Sequence, residues 1–435
     1  MLIERNKRLV KDFAVYGFGI LGNRLFVFLL YPVLSFFLEK QELGYYDLSL
    51  ETVLFLLPVI TLQMRESTFR LLIDTNDESY KRHILTTTFV IEGVMLLIVT
   101  AIAPILSIFF TIRHFFLIVL SIYAYSLYEL YLQAIRAIYS SKCYVLASLI
   151  TSFTTVVLTF LLFFVFNRGI EALFIGTIVA RITAILVIEL PRRKIIGSLS
   201  LHYFKKKYAK EILHYSIPLM WAAISYAFIT FSGKFFVAYF LGSENNGILA
   251  IAQKYMSILL LIGVPFHLAW QETSVKYYQE KDRERYFSDV FNKYAVALCV
   301  LSLIFSFGLR FFKSFLMGAE YYPSINLIYV YCISATFFCL AQFFEVIFQC
   351  TKQTSKILFS FASCAIISLP LTIFLTKYYG LMGTVIALII AYLYLFLYRF
   401  FQTKKTLPVR LNKSFYLAMF LLAFGGIIFY YTTSS

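Results

Sequence analysis

The chain has 435 residues, a net charge of +16, and 60% of its residues from the set Ala, Val, Ile, Leu, Met, Phe, Trp, Tyr and Cys. Charged residues make up only 14%, against roughly 25% in soluble domains, and the mean hydropathy is +0.79. So few charges exclude a water-soluble fold of this size. Apolar stretches of bilayer length recur from end to end, which predicts an all-α integral membrane protein. The basic residues are scattered between those stretches rather than gathered on one polar domain, so no nucleic-acid partner is expected.

The N-terminal MLIERNKRLVKD leads into an apolar window at 13–38. This is too long for a signal-peptide core and has no small-residue cleavage site, so a retained first helix is expected. Further windows follow at 46–64, 83–110, 114–138, 143–166, 170–190 and 213–241. The last six are at 245–270, 289–310, 324–349, 357–376, 380–401 and 414–431, thirteen spans in all. Counted on alternate sides, 29 Lys and Arg share the side of the N-terminus and six lie opposite. That split places the N-terminus in the cytoplasm. The longest polar stretch, 191–212, contains PRRK and FKKKYAKE. It reads either as an amphipathic linker on anionic headgroups or as plain positive-inside charge. The six cysteines lie in or beside apolar windows with no CxxC pair and no His cluster, so packed thiols are expected and no metal.

An internal repeat divides the chain. KDFAVYG at Lys11–Gly17 pairs with KEILHYS at Lys210–Ser216, and FLEKQELG, ending at Gly44, with FLGSENNG, ending at Gly247. ESTFR at Glu66–Arg70 pairs with ETSVK at Glu272–Lys276, and Pro58 with Pro265. ELYLQAIR at Glu129–Arg136 pairs with EVIFQCTK at Glu345–Lys352, and NRGIEALFIG with YYGLMGTVIA. The matches keep one order and nearly one offset. They predict a six-helix lobe at 1–190, a cytoplasmic amphipathic linker at 191–212 and a second six-helix lobe at 213–401. A cytoplasmic loop and an extra, peripheral helix follow at 402–435. Because six is even, the lobes are parallel repeats, a transporter architecture with its substrate site between the halves.

The order of motifs resembles the polysaccharide flippases of the MOP (multidrug/oligosaccharidyl-lipid/polysaccharide) superfamily, specifically the Wzx type that moves O-antigen repeat units. The similar features are the first helix with its midspan Arg24, FLEKQELGYYDL, LQAIRAIYSSKCY, EILHYSIPLM, KFFVAYFLGSENNGILAIAQKY and YYGLMGTVIA. They cover about residues 5–401. In one departure, Gly233 stands before Lys234, where such proteins often carry an acid. The resemblance implies a V-shaped pair of bundles around a cationic cavity in a bacterial cytoplasmic (inner) membrane. It also implies a substrate of undecaprenyl diphosphate bearing an oligosaccharide, flipped from inner to outer leaflet. Membrane lipids, a polysaccharide polymerase and a chain-length regulator are the implied partners.

A charge within a span costs about 2.5–3.5 kcal/mol on insertion scales, so such residues face a cavity or a partner. Four bases fall inside spans, Arg24, Arg181, Lys234 and Lys254, and their repeat counterparts are not basic. Symmetry of architecture therefore does not explain them, whereas a diphosphate needs such charge in a low-dielectric site. They are the candidate pyrophosphate-binding residues, bridging to acids or snorkelling being the alternatives. Candidate carriers of a coupling proton are Glu92, Glu129, Glu345 and His267. Glu129 and Glu345 recur in the repeat and read more readily as structural ties. Candidate hinges are Gly17, Gly22, Pro58, Pro218 and Pro265. No P-loop, GxSxG or HExxH motif is present, so neither an enzyme nor a cofactor is expected. Two alternatives remain: a cation-coupled multidrug exporter of the same superfamily, which favours acids in its cavity, and a membrane-embedded polysaccharide polymerase, which needs a large outer loop.

Overall fold

The computed structural model describes residues 30, 34–73, 75–109, 112–351 and 353–433. Arg24, Gly17, Gly22 and most of the first window lie outside the described residues. The rest is helical, with no strand among the described residues. In chain order the helices are α1 (Lys40–Ile60), α2 (Met64–Ile73), α3 (Glu78–Phe109), α4 (Phe115–Ile138), α5 (Ser141–Phe160) and α6 (Glu171–Glu189). Then come α7 (Lys206–Leu241), α8 (Ser243–Tyr277), α9 (Arg283–Phe311), α10 (Ser324–Cys350), α11 (Thr354–Thr403) and α12 (Lys413–Thr433). Ten of the helices among the described residues are long and apolar enough to cross a membrane. One of these, α11, holds two predicted windows, with a break at Gly380 (φ 61°, ψ −144°) that the absence of a Cβ permits. The protein is a multi-pass membrane protein.

Two differences from the sequence reading have local causes. The second window continues past α1 into a separate short helix, α2. Pro58 lacks the N–H that would bond back along α1. Past it, the Thr61 hydroxyl bonds the Leu57 carbonyl and accepts from the Gln63 N–H, and Leu62 and Gln63 take positive φ. The stretch at 191–212 is also not one amphipathic element. It folds as a turn and two short 3₁₀ segments, and α7 begins at Lys206, so FKKKYAKE supplies its first turns.

Contacts divide the chain into two compact units, whose boundaries fall within α1 and α7. One takes in residues up to Leu48 and from Phe228 onward. Its core is largely aromatic, with Trp270, Tyr286, Phe287, Phe291, Phe343 and Phe344 fully buried together. Against this core α12 is held by more than apolar contact: the Asn292 side chain bonds the backbone at Arg410 and Asn412 on the approach to α12. The other unit, Ser49–Ala227, is organised around α4, with Tyr128, Tyr131 and Ile135 buried against residues of α2, α3, α5 and α6. The outer stripe of α3, including Leu97, Ile102, Ile105 and Ile108, stays exposed, as a lipid-facing surface requires.

Candidate functional site

In the first unit, α1 and α7 each carry one ionisable residue two turns from an end, Asp47 and Lys234. The Lys234 Nζ lies 2.8 Å from Asp47 Oδ2, and the side chains are only 5% and 1% exposed. Seven residues of helix put each of them about 10 Å in from its helix end. Lys234, predicted as a cavity base, therefore meets an acid after all. That acid comes not from the preceding position, where Gly233 stands, but from α1. Asp47 lies in the quoted FLEKQELGYYDL motif without having been singled out. An acid two turns into a membrane-length helix was the available signal, shared with Glu51 one turn further on.

The same end of α1 is fixed to α8. Gly44 and Gly247, paired by the repeat in sequence, also pack against each other. A Cβ on Gly44 would overlap the Ser243 carbonyl oxygen and the Gly247 nitrogen, and one on Gly247 would overlap the Lys40 carbonyl oxygen. The Asn246 amide donates to the Gly44 carbonyl at 2.9 Å, and Lys40 Nζ meets Glu244 Oε1 at 2.7 Å. Further along α8, Lys254 is half-buried. The segment before α1 is held as closely. The Gly318 N–H donates to Ser35 Oγ at 3.1 Å, and the Tyr321 hydroxyl to the Leu38 carbonyl at 2.9 Å.

Deeper in this unit lies a polar network on α8, α10 and α11. Arg399 is fully buried. It meets Glu345 Oε2 at 2.8 Å, donates to Gln342 Oε1, the Ala341 carbonyl and Ser360 Oγ, and lies 4.5 Å over the Phe361 ring. Gln349 links Glu345 to Gln271. His267 shares this electrostatic neighbourhood. Arg399 was not among the four bases read as lying inside spans, although the window 380–401 reaches it. The structure corrects that, because α11 continues to Thr403 and carries it inside.

In the second unit each predicted ionisable residue also has a defined neighbour. Glu129 on α4 is paired with Arg65 of α2 at 2.5 Å. The repeat aligns Glu129 with Glu345, so both recurrent acids are ion-paired, each with a base that the other half lacks. Arg181 on α6 lays its guanidinium 3.4 Å from the Tyr125 ring centroid and donates to the Thr177 carbonyl. Glu92 on α3 differs from the other acids. It is fully buried, its Oε1 accepts from the Ser126 hydroxyl, and its Oε2 has no hydrogen-bond partner among the described residues. An acid held by a neutral hydroxyl exchanges a proton without breaking an ion pair. Pro58, Pro218 and Pro265 lie inside α1, α7 and α8, where each removes a backbone donor.

Glu189, at the end of α6, was not anticipated either. Its Oε1 accepts from the Ile195 and Ile196 N–H groups at 2.9 and 2.8 Å, and its Oε2 from the Tyr139 hydroxyl at 2.7 Å. Burial, together with the Glu189 carboxylate, pushes the Tyr139 hydroxyl up to about 12, so it remains a donor at neutral pH. Among the described residues no group of three or more His, Cys, Asp or Glu is placed to hold a metal ion.

Comparison with known proteins places this arrangement. A family model described as polysaccharide biosynthesis protein matches residues 9–270. No curated protein matches the chain by sequence. Among solved structures, the lipid II flippase MurJ in an inward closed conformation superposes with a TM-score of 0.72 at 18% identity, over 96% of this chain and 97% of that one. An inward-facing multidrug resistance MATE family transporter of the MOP superfamily gives 0.69 at 13% identity, over 93% and 98%. An outward-facing transporter of that description gives 0.66 at 14%, over 92% and 96%. At these identities the likeness is one of fold, and that fold is the one the sequence resemblance implied.

Proposed function

We propose, because the chain belongs to the polysaccharide biosynthesis protein family, that it moves a lipid-linked oligosaccharide of surface-polysaccharide synthesis across the membrane. The family match over residues 9–270 is the observation that carries this reading. The substrate is an undecaprenyl diphosphate bearing a sugar repeat unit, passing from the inner to the outer leaflet of a bacterial cytoplasmic membrane. The work is alternating access and not bond chemistry. The charge asymmetry of the loops supports a cytoplasmic N-terminus, so a reporter inserted after Lys207 is expected on the cytoplasmic side. A polymerase and a chain-length regulator are the partners such a substrate requires downstream.

Lys234 is the proposed centre of the cationic site, with Arg24 and Lys254 as its companions, and Arg181 is kept as a proposed pyrophosphate-binding residue of the second unit. The buried Asp47–Lys234 pair supplies a mechanism for coupling occupancy to movement. A buried base needs a counter-charge at all times. With no substrate present, Asp47 provides it and ties α1 to α7. An arriving diphosphate carries more charge and more acceptors, takes Lys234 in charge-assisted hydrogen bonds and releases Asp47. The helices then separate only when the site is occupied. Glu92 is the proposed carrier of a coupling proton, because Glu129 and Glu345 are committed to Arg65 and Arg399.

The test is flux in proteoliposomes with a labelled lipid-linked oligosaccharide, run beside efflux of a cationic dye. Transport of the first without the second supports the proposal. Transport of the dye alone would instead favour a multidrug exporter, and sugar-chain growth in the vesicles a polymerase.

A further inference from the structure

The stretch after α6 builds something the transport reading does not use. Between the first turns of α3, the end of α4 and the turn at 190–198 lies a cavity of about 400 Å³. Its wall carries Lys81, Arg82, Arg193 and Lys194, with Glu78 and Ser198. Four bases thus stand against one acid, and that acid is already held by Lys81 at 2.9 Å.

The shape is fixed by buried contacts and is not a chance of loop placement. Glu189 accepts two backbone N–H groups of the turn, and the Lys194 N–H donates to the Tyr139 hydroxyl at 3.0 Å. Arg193 takes a left-handed φ of 51°, closed by its N–H to the Glu189 carbonyl at 2.7 Å and by the Gly197 N–H to its own carbonyl. The following residues are clamped to α3, with the His83 ring stacked on Tyr208 and edge-on to Tyr203. Beside the cavity the same stretch presents Leu190, Ile196 and Leu201 to the outside, 54%, 49% and 79% exposed. A soluble anion has no use for those apolar side chains, whereas a lipid does. The cavity also lies where α3 begins and α4 and α6 end, three helices long and apolar enough to cross a membrane.

We propose that this cavity binds the phosphate-bearing headgroup of an anionic membrane phospholipid. The four bases hold the phosphate, and the acyl chains run along Leu190 and Ile196. The site is separate from Lys234, and the proposal stands whatever the protein transports. A bound lipid here ties the turn at 190–198 to the ends of α3 and α4.

The experiment is native mass spectrometry of the full chain released from detergent with added phosphatidylglycerol or phosphatidylcholine. Phosphatidylglycerol is expected to be retained at least about fivefold more than phosphatidylcholine, a difference of about 1 kcal/mol. Millimolar inorganic phosphate is expected not to displace it. Arg193→Glu/Lys194→Glu should abolish that preference. Lys205→Glu/Lys206→Glu makes the same charge change in the same stretch outside the cavity and should preserve it. Gly197→Val adds a neutral side chain at a position with open space around its Cβ and should reduce retention without changing charge. Equal loss in both charge variants would overturn the proposal in favour of general surface charge. Displacement by inorganic phosphate, or equal retention of the two lipids, would overturn the lipid headgroup as occupant.

Discussion

Asp47 and Lys234 lie 2.8 Å apart, each almost wholly removed from solvent, on two helices that the internal repeat assigns to different halves of the chain. A pair of this kind adds little to stability when whole, yet removing one partner strands a buried charge at a cost of about 3–5 kcal/mol. Asp47→Asn and Lys234→Met are each expected to lower unfolding free energy in detergent by about that amount. The double variant should recover most of the loss, because no charge is left unpaired. Additive losses in the double-mutant cycle would mean that the two residues do not depend on each other.

Gly44 and Gly247 let the backbones of α1 and α8 touch, so neither tolerates a side chain without the helices parting. Gly44→Ala and Gly247→Ala are each expected to destabilise the protein by about 1–3 kcal/mol, the range for overpacking. Gly93 and Gly308, which have open space where a Cβ would stand, serve as controls. Alanine there should be neutral or slightly stabilising in the same melting assay, since each lies in a helix.

Glu92 is held by a hydroxyl rather than by a base, and this leads to a prediction about energy coupling. Glu92→Gln keeps the shape and the hydrogen bond to Ser126 but removes the titrating proton. Its product should fold normally and lose the dependence of flux on an imposed pH gradient, while substrate binding persists. Glu129→Gln, by contrast, removes the nearer of the two acids beside Arg65, leaving Glu66 at 3.5 Å, and should act mainly on stability. A Glu92→Gln protein whose flux still follows the pH gradient would remove Glu92 from the coupling role.

Helix positions were legible in the sequence because hydropathy over a bilayer length is a property of consecutive residues. Each of the windows from 46–64 onward falls on helix over most of its length. Side-chain partners were much less legible. Lys234 stood out as a base within an apolar span, yet Asp47 lies far away in sequence, and only packing of α1 against α7 brings the two together. Arg399 sits near the end of its window, where a shift of one helical turn decides between loop and core, and it was not read among the bases inside spans. Pro58 and Pro265 occupy equivalent places in the repeat, but only the first is followed by a break. There the Thr61 hydroxyl and the positive φ of Leu62 and Gln63 end the helix, while α8 runs on through Pro265 to Tyr277.

The central claim is that Lys234 holds the diphosphate of a lipid-linked substrate, and vesicle flux of that substrate tests it most directly. The variant to use is Asp47→Asn/Lys234→Met, in which loss of the base strands no buried acid. Hydrogen bonds to a charged group contribute roughly 1.5–3 kcal/mol. Flux per folded protein should therefore fall about tenfold to a hundredfold, and a similar fall is expected for Arg24→Ala. Lys234→Arg should keep much of the rate, because it retains the charge. Normal flux in the folded double variant would contradict the account.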